Sequence, residues 1–271
     1  MSPFLTRVRS FKNVCFRILT LFFALYSSSQ AQVFSAGEEI IYSVSYLGIR
    51  LGTVKIITEG KEIINGKQVF KTKSFMTSSP GIPFVDLNAT YESWIDKSGA
   101  FSQQFVGTMK QGDEESKYTK YVFDYDNKIT YMQEWKNKKQ TLNGTMDASK
   151  KWNDGLSLLF LARHYVDSKK HYKVPTIIEG DTVKTTINFQ GKVENVEIDA
   201  VQYPVRTKYL SGIADWTGVY GLSGKFEGWF SDDEAKIPVR AKMKVYLGSV
   251  NIELISWKRG SWMPPKAGDT L

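Results

Sequence analysis

The chain has 271 residues, of which 36 are lysine or arginine and 28 are aspartate or glutamate, so its formal net charge is +8. Its cations are interleaved with acidic residues, as in Lys61-Glu62, and this pattern provides no basic face of the kind that nucleic-acid binding requires. Cys15 is the one cysteine, which excludes an intramolecular disulfide and a structural metal site built from several thiolates.

Residues 1–31 have the organisation of a secretion signal. An apolar run from Ile18 to Tyr26 has the length of a signal-peptide core, and Ser29 and Ala31 supply the small side chains of a cleavage site. The basic residues before it are Arg7, Arg9, Lys12 and Arg17. We predict cleavage before Gln32, export to the periplasm or envelope, and no transmembrane span after cleavage. The alternative is an uncleaved anchor, for which the apolar run is short.

The mature sequence reads mainly as strands separated by turns. Glu38 to Tyr46 alternates apolar and polar residues, which is typical of a half-buried strand, and Asn65-Gly66 favours a two-residue hairpin turn. About fifteen such segments at short spacing indicate an antiparallel sandwich or barrel. They are 38–46, 53–58, 68–77, 89–96, 101–109, 118–125, 129–135, 140–146, 173–179, 182–189, 193–200, 203–210, 224–231, 237–247 and 250–257.

The segment from Ser78 to Asn88 is apolar but contains prolines, which excludes a central strand. It is a candidate rim for a ligand cavity or a cover for a sheet edge. The residues that we assign to ligand binding are Ile82, Phe84 and Leu87 in this segment, together with Trp94 and Trp229. Each tryptophan has a core position as its alternative, because aromatic residues suit half-buried strands.

One helix is predicted, from Asn153 to Ser168. Apolar residues cover most of its circumference, which is typical of a buried helix. At about 1.5 Å per residue it is too short to cross a bilayer. Asn153 or Asp154 can cap its start, and Ser157 lies on its narrow polar stripe. We interpret the helix as a plug inside a curled sheet.

Arg163 lies on the apolar side of this helix, in line with Phe160. A guanidinium in such a position needs a carboxylate partner or a route to solvent. We predict that Arg163 contacts a carboxylate, and the candidates are Glu38, Asp232 and Asp233.

Candidate catalytic groups are sparse. His164 and His171 have no metal-ligand spacing with another histidine or cysteine. The run from Ser231 through Asp232 and Asp233 to Glu234 could perform acid–base chemistry or bind a hard cation, or it could be a solvated turn. We predict no catalytic residue, no metal and no cofactor.

Together these elements predict a mainly β protein. The expected fold is a large antiparallel curled sheet, an open β-barrel or β-spiral, wrapped around one central helix. We expect a signal peptide over residues 1–31, one domain over residues 32–262, and a frayed tail over residues 263–271, which contains Pro264-Pro265.

Three patterns in the chain resemble an exported bacterial family, domain-of-unknown-function family 3108. They cover nearly all of the mature sequence. The first comprises Phe34, Ser35, Ala36, Gly37, Glu38, Tyr42, Gly48 and Gly52; the second comprises Asp154, Gly155, Leu156, Ser157, Phe160 and Arg163; the third comprises Gly228, Trp229, Phe230, Ser231, Asp232, Asp233, Ile237, Pro238, Val239 and Gly248.

The resemblance implies an envelope protein whose large curved sheet surrounds a helix, similar in architecture to the lipoprotein carriers LolA and LolB. It implies no established activity, cofactor or catalytic set, and a function taken from the fold is analogy alone. Structural roles also account for the shared positions: Gly48 and Gly52 suit turns, Pro238 suits the start of a strand, and Arg163 suits a buried ion pair.

Three functions are compatible with the sequence. The first is a non-enzymatic envelope binding protein that holds a lipid, an acyl chain or a lipoprotein segment between sheet and helix. The second is a structural module with a solid core that binds an envelope protein. The third, which we favour least, is a hydrolase of envelope glycan or peptide that uses Asp232 and Asp233.

Overall fold

The computed structural model describes residues 33–82, 86–112, 115–217, 223–245 and 247–268. The part from Val33 onward forms one compact unit, and the predicted signal peptide lies outside the described residues. The strands are β1 (Glu38–Tyr46), β2 (Ile49–Ile64), β3 (Lys67–Ser78), β4 (Leu87–Asp96), β5 (Ser102–Gln111), β6 (Glu115–Asp124), β7 (Ile129–Lys136), β8 (Lys139–Asp147), β9 (His171–Ile178), β10 (Asp181–Val196), β11 (Val205–Ala214), β12 (Gly224–Ser231), β13 (Pro238–Lys244) and β14 (Ser249–Lys258); the helix is α1 (Ser157–Tyr165).

The strands form one 14-stranded antiparallel sheet in the order β8-β7-β6-β5-β4-β3-β2-β1-β14-β13-β12-β11-β10-β9. Strands that follow one another in sequence are paired, apart from β8 and β9, which α1 separates. In addition, β1 pairs with β14. The sheet is curled and is not closed by strand pairing, because β8 and β9 are its two edges. The predicted mainly β, antiparallel class is therefore confirmed.

Two predicted segments, 182–189 and 193–200, join into one strand in the structure. β10 runs from Asp181 to Val196 without a break at Gln190-Gly191, and residues 197–200 lie outside it. The register with β11 shifts between Phe189 and Lys192, and Gly191 has a φ of +65°. Glycine at positive φ is common in a β-bulge, which bends a strand without ending it.

The topology gives the sheet two distinct ends. Antiparallel neighbours run in opposite directions, so successive connections alternate between the ends. We call one the cavity end; it holds the β1–β2, β3–β4, β5–β6, β7–β8, β9–β10, β11–β12 and β13–β14 connections. We call the other the helix end; it holds the remaining connections, among them the segment with α1.

Asp154 defines the start of α1. One of its carboxylate oxygens accepts hydrogen bonds from the amides of Leu156 and Ser157, both at 2.8 Å, and the Ser157 hydroxyl accepts from the amide of Asp154 at 2.9 Å. The other oxygen accepts from the hydroxyls of Ser93 and Ser102. Burial raises the pKa of Asp154, whereas these hydrogen bonds act in the opposite direction. The predicted cap is thus confirmed, although the helix itself is shorter than predicted.

The helix packs against strands from both halves of the chain. Leu156 and Phe160 belong to a core cluster with residues of β1, β4 and β14, including Ile40, Ile95 and Leu254. A second cluster combines other helix residues with β9 to β12; its members are Leu158, Leu161, Ala162, Val166, Val174, Ile187, Phe189, Leu210 and Phe230. Burial of two apolar faces explains why a short helix is stable here.

Arg163 makes the predicted contact with Glu38. The guanidinium donates two hydrogen bonds to the carboxylate, at 2.7 and 3.0 Å, and a third to the carbonyl of Ala235 at 2.9 Å. Arg259 also pairs with Glu38. Arg163 and Glu38 are each 1% exposed, so this ion-paired centre links α1 to β1, to the end of β14 and to the β12–β13 connection. Asp232 and Asp233 are not its partners.

The predicted frayed tail requires correction for residues 263–268. The amide of Arg206 donates to the carbonyl of Pro265, and the amide of Ala267 donates to that of Pro204, both at 2.8 Å. The Tyr203 hydroxyl donates to the carbonyl of Pro264 at 3.0 Å. The two prolines lack amide protons, but their carbonyls still accept hydrogen bonds. The domain therefore extends beyond residue 262, while residues 269–271 lie outside the described part.

Replacement of Glu38 by Gln tests the ion-paired centre. The change leaves the buried guanidinium of Arg163 without a carboxylate, and breaking a buried ion pair typically costs about 3–5 kcal/mol. We expect the free energy of unfolding to fall by that amount, as measured by urea denaturation. The control is Glu39→Gln, which removes a solvent-exposed pair with Lys55 and should have little effect. Equal losses in both variants would contradict the proposed role of Glu38.

Replacement of Asp154 by Ala tests the cap of α1. The variant removes the acceptor of two amides and two buried hydroxyls, so we expect the free energy of unfolding to fall by about 2 kcal/mol or more. Asp124→Ala is a matched control, because Asp124 accepts from the amide and side chain of Asn127 in an exposed turn. Urea denaturation measures both, and an unchanged midpoint for Asp154→Ala would refute the cap's contribution.

Candidate functional site

A cavity of about 470 Å³ lies inside the cavity end of the sheet. Its walls come from β1 to β6, from the end of β9, and from β13 and β14; the start of α1 forms its floor. The principal apolar lining residues are Val54, Ile56, Leu156, Leu159, Ile177 and Ile252. The volume falls within the range of about 300–1,000 Å³ that small-molecule sites usually occupy.

The period of the strands explains why these side chains share one wall. Side chains alternate between the two faces of a strand, so Val54 and Ile56 point inward while Lys55 between them pairs with Glu39 outside. Tyr42 pairs in register with Val54. Both side chains line the cavity, which makes the wall continuous across β1 and β2.

Two polar contacts join the far sides of the curled sheet at this cavity. Lys117 on β6 lies 3.3 Å from Glu179 in the β9–β10 connection. The Tyr121 hydroxyl accepts from the amide of Gly180 at 2.7 Å and donates to Glu134 at 2.6 Å. Burial, together with the hydrogen bond to Glu134, raises the pKa of Tyr121. Side chains rather than strand pairing therefore bring β9 against β6.

The cavity wall contains one buried hydroxyl and three methionine side chains. The hydroxyl of Ser74 is buried and has no hydrogen-bond partner among the described residues. Nearer the cavity end, Met76, Met109 and Met243 line the site. Methionine side chains are flexible and polarisable, so such a wall can adapt to apolar ligands of differing shape.

Of the five residues that the sequence analysis assigned to ligand binding, one is found in the cavity lining. Leu87 is buried and lines it, whereas Ile82 does not, and Phe84 lies outside the described residues. The two tryptophans do not line it either. The indole N–H of Trp94 donates to Glu62 and that of Trp229 donates to Glu194, both at 2.7 Å. Trp216, which was not among the assigned ligand residues, does line the cavity, and its indole donates to the Thr185 hydroxyl at 2.8 Å.

Sequence reasoning missed most of the wall. Val54, Leu159 and Ile252 were not named as candidates, although alternation along β2 and β14 and the apolar circumference of α1 carry the relevant signal. Alternation identifies the inward face of a strand. It does not distinguish a filled core from a cavity, because that depends on the spacing between distant elements.

The acidic run between β12 and β13 is engaged in local structure. Asp232 forms ion pairs with Arg206 at 2.8 Å and Lys208 at 3.3 Å. Asp233 accepts from the amides of residues 235 and 236, from the Trp262 indole at 2.7 Å and from the Ser231 hydroxyl at 2.8 Å. Neither carboxylate lines the cavity. Their contacts organise the β12–β13 connection at the helix end.

Tyr42 and Pro238 link this connection to the cavity. The buried Tyr42 hydroxyl donates to the carbonyl of Pro238 at 3.1 Å, and both residues line the cavity. Burial raises the pKa of Tyr42. Its ring therefore forms part of the boundary between the cavity and the ion-paired centre.

The remaining candidates lie apart from the cavity. His164 and His171 are both exposed, and the ring of His164 packs edge-on against Tyr165. Among the residues that the structure describes, no group of histidine, aspartate and glutamate side chains is arranged to hold a metal ion. Within the same residues, no helix has the length and apolar character needed to span a bilayer.

Comparison with known proteins supports the fold. The crystal structure titled "Beta-barrel-like Protein of Domain of Unknown Function DUF1849", from Brucella abortus, is similar, with a TM-score of 0.54 and 12% sequence identity. The similarity covers 83% of this chain and 98% of that chain. At this identity it concerns the fold alone. No curated protein matches the chain.

The family resemblance inferred from three sequence patterns is confirmed by an independent match. Residues 41–255 match the family described as "Protein of unknown function (DUF3108)". This range contains the second and third patterns in full, and Tyr42, Gly48 and Gly52 of the first. Because the match spans well over half of the chain, the protein belongs to the DUF3108 family.

Proposed function

We propose that this protein is a non-enzymatic binding protein that holds an acyl chain in the cavity between the curled sheet and α1. The observation that carries the proposal is an apolar cavity of about 470 Å³ inside a mainly β domain. Ligand sites are typically concave and apolar, with a few polar groups that orient the ligand. The buried Ser74 hydroxyl, which has no hydrogen-bond partner within the described part of the chain, is one such group.

The chemistry of the wall favours an acyl chain. Aliphatic and methionine side chains dominate the lining, and transfer of methylene groups from water to such surroundings contributes about 0.8 kcal/mol for each buried CH₂. Two ionic groups of the cavity, Lys117 near the start of β6 and Glu179 in the β9–β10 turn, lie at the cavity end, whereas Arg240 lies near the start of β13 and pairs with Glu253. This arrangement suits a ligand with an apolar chain and a polar head.

The proposal includes a sheet that wraps around the helix. Support comes from the two core clusters, in which α1 packs against β1, β4 and β14 on one side and against β9 to β12 on another. Leu156 and Leu159 then form the floor on which a ligand rests. The predicted signal peptide adds the expectation of an exported protein that acts in the periplasm or envelope.

Two alternatives have different support. A protein-interaction module is favoured by β8, an edge strand whose side chains are largely exposed, since such an edge can pair with another strand. No observation favours the hydrolase. Asp232 is paired with cations of β11, and Asp233 accepts from amides of the β12–β13 connection.

Binding of cis-parinaric acid, a fluorescent fatty acid, tests the proposed function. We expect the purified chain starting at Gln32 to enhance its fluorescence with saturable stoichiometry. Palmitate, phosphatidylglycerol and a synthetic acylated peptide then serve as competitors, and the one that displaces the probe best identifies the source of the acyl chain. If the chain binds neither the probe nor any competitor, the proposal is rejected and the interaction module remains.

The Val54→Trp variant tests the location of binding. The larger ring fills part of the cavity, so we expect the probe's dissociation constant to rise at least about tenfold, equivalent to about 1.4 kcal/mol. Val193→Trp is the matched control, because Val193 is a strand valine with 42% of its surface exposed and lies outside the cavity lining. Urea denaturation verifies that both variants fold. Unchanged affinity in a folded Val54→Trp variant would place binding elsewhere.

A further inference from the structure

Three large aliphatic side chains are exposed on two adjacent turns at the cavity end. Leu47 and Ile49 flank the β1–β2 turn and are 63% and 58% exposed, and Leu247 in the β13–β14 connection is 66% exposed. The turns are neighbours because β1 pairs with β14. The Tyr46 hydroxyl donates to the carbonyl of Leu247 at 2.6 Å. We call Leu47, Ile49 and Leu247 the apolar tip.

The backbone adds a second observation at Leu47. This residue has a φ of +48° and precedes Gly48 at +80°. The β2–β3 turn has the same signs of φ but places Asn65 before Gly66, and asparagine tolerates this region far better than leucine does. A leucine here is unfavourable both for its backbone and for its exposed apolar side chain. Neither feature stabilises the isolated fold, so a role in contact with a partner is favoured.

The charges around the apolar tip are positive. Arg50, Lys244 and Lys225 are exposed at the same end. Lys225 and Lys244 lie one residue beyond the paired Phe226 and Met243 on adjacent strands. Neither turn of the tip contains an acidic residue; exposed carboxylates at this end, such as Asp215 and Asp86, belong to other connections. The tip thus combines aliphatic side chains with nearby cations.

The tip is continuous with the cavity. Leu51 follows the β1–β2 turn and Val250 follows the β13–β14 turn, and both line the cavity, as do Val44 and Met243. An apolar path therefore leads from exposed side chains to the proposed acyl-chain site.

We propose that the apolar tip docks the cavity end onto an anionic lipid bilayer, so that an acyl chain can pass between the membrane and the cavity. Aliphatic side chains that enter the interface and cations that face anionic headgroups are the usual basis of such peripheral binding. Three side chains are too few for a stable protein interface, which typically buries about 1,200–2,000 Å². The inference rests on the proposed function for its purpose, but its test is separate.

Vesicle co-sedimentation tests the docking. The probe is vesicles of phosphatidylcholine and phosphatidylglycerol in equal parts, with the purified chain starting at Gln32. We expect the triple variant Leu47→Gln, Ile49→Gln and Leu247→Gln to lose vesicle affinity at least about tenfold. The matched control is Ile63→Gln with Met263→Gln, whose side chains are 77% and 56% exposed and lie at the helix end. This control should bind vesicles as the unaltered chain does.

A charge variant tests the contribution of the cations near the apolar tip. Arg50→Gln with Lys225→Gln and Lys244→Gln should weaken binding to the anionic vesicles and reduce its salt dependence, because screening acts on these contacts. Vesicles of phosphatidylcholine alone should bind the unaltered chain more weakly. Equal binding to the two compositions would overturn the commitment to an anionic surface.

The outcomes separate docking from ligand binding. Val54→Trp should lose cis-parinaric acid but retain vesicle binding, whereas the triple tip variant should retain the probe and lose the vesicles. Probe binding without vesicle binding by the unaltered chain would overturn the docking and leave the proposed function intact. Sedimentation equilibrium that shows self-association abolished in the triple variant would also overturn it, because a second copy would then be the tip's partner.

Discussion

The buried pair between Arg163 and Glu38 is the interaction on which the arrangement of the domain depends. Two charges with almost no solvent contact are tolerable only when they are paired and hydrogen-bonded, and here the two terminal nitrogens of Arg163 are bonded while its Nε has no partner among the described residues. Here the carboxylate at the start of β1 receives the helix arginine and Arg259 after β14, while the helix arginine also holds the carbonyl of Ala235. Segments far apart in sequence must therefore meet at the helix end before either charge is compensated.

The two ends of the domain differ in how their interior is packed. At the helix end, the ion-paired centre and the Asp154 cap are buried, and residues 263–268 hydrogen-bond to the segment around residues 203–206. At the cavity end, strands continue beyond the start of α1, and their inward side chains line the cavity. A sheet with two unpaired edges encloses this space because Lys117, Tyr121 and their partners connect β6 to the β9–β10 connection.

The sequence was informative where one local pattern implies one structure. Period-two alternation predicted the antiparallel strands, and the conflict between a guanidinium and an apolar helix face predicted a carboxylate partner for Arg163. The cavity wall was not predicted, because whether Val54 or Ile252 meets another side chain or open space depends on how the sheet curls. Trp94 and Trp229 were assigned to the ligand site, but their N–H groups pair with carboxylates away from it, whereas Trp216, which was not assigned, lines the cavity.

The two hairpin turns with asparagine or leucine at positive φ differ in how well their residues suit the backbone. Asn65-Gly66 at the helix end uses the residue that this backbone geometry prefers, whereas Leu47-Gly48 at the cavity end does not. Because the ion-paired centre and the helix cap lie far along the strands from Leu47, the fold can tolerate an unfavourable residue there without loss of its core. The exposed apolar turn beside the cavity therefore lies apart from the interactions that stabilise the fold.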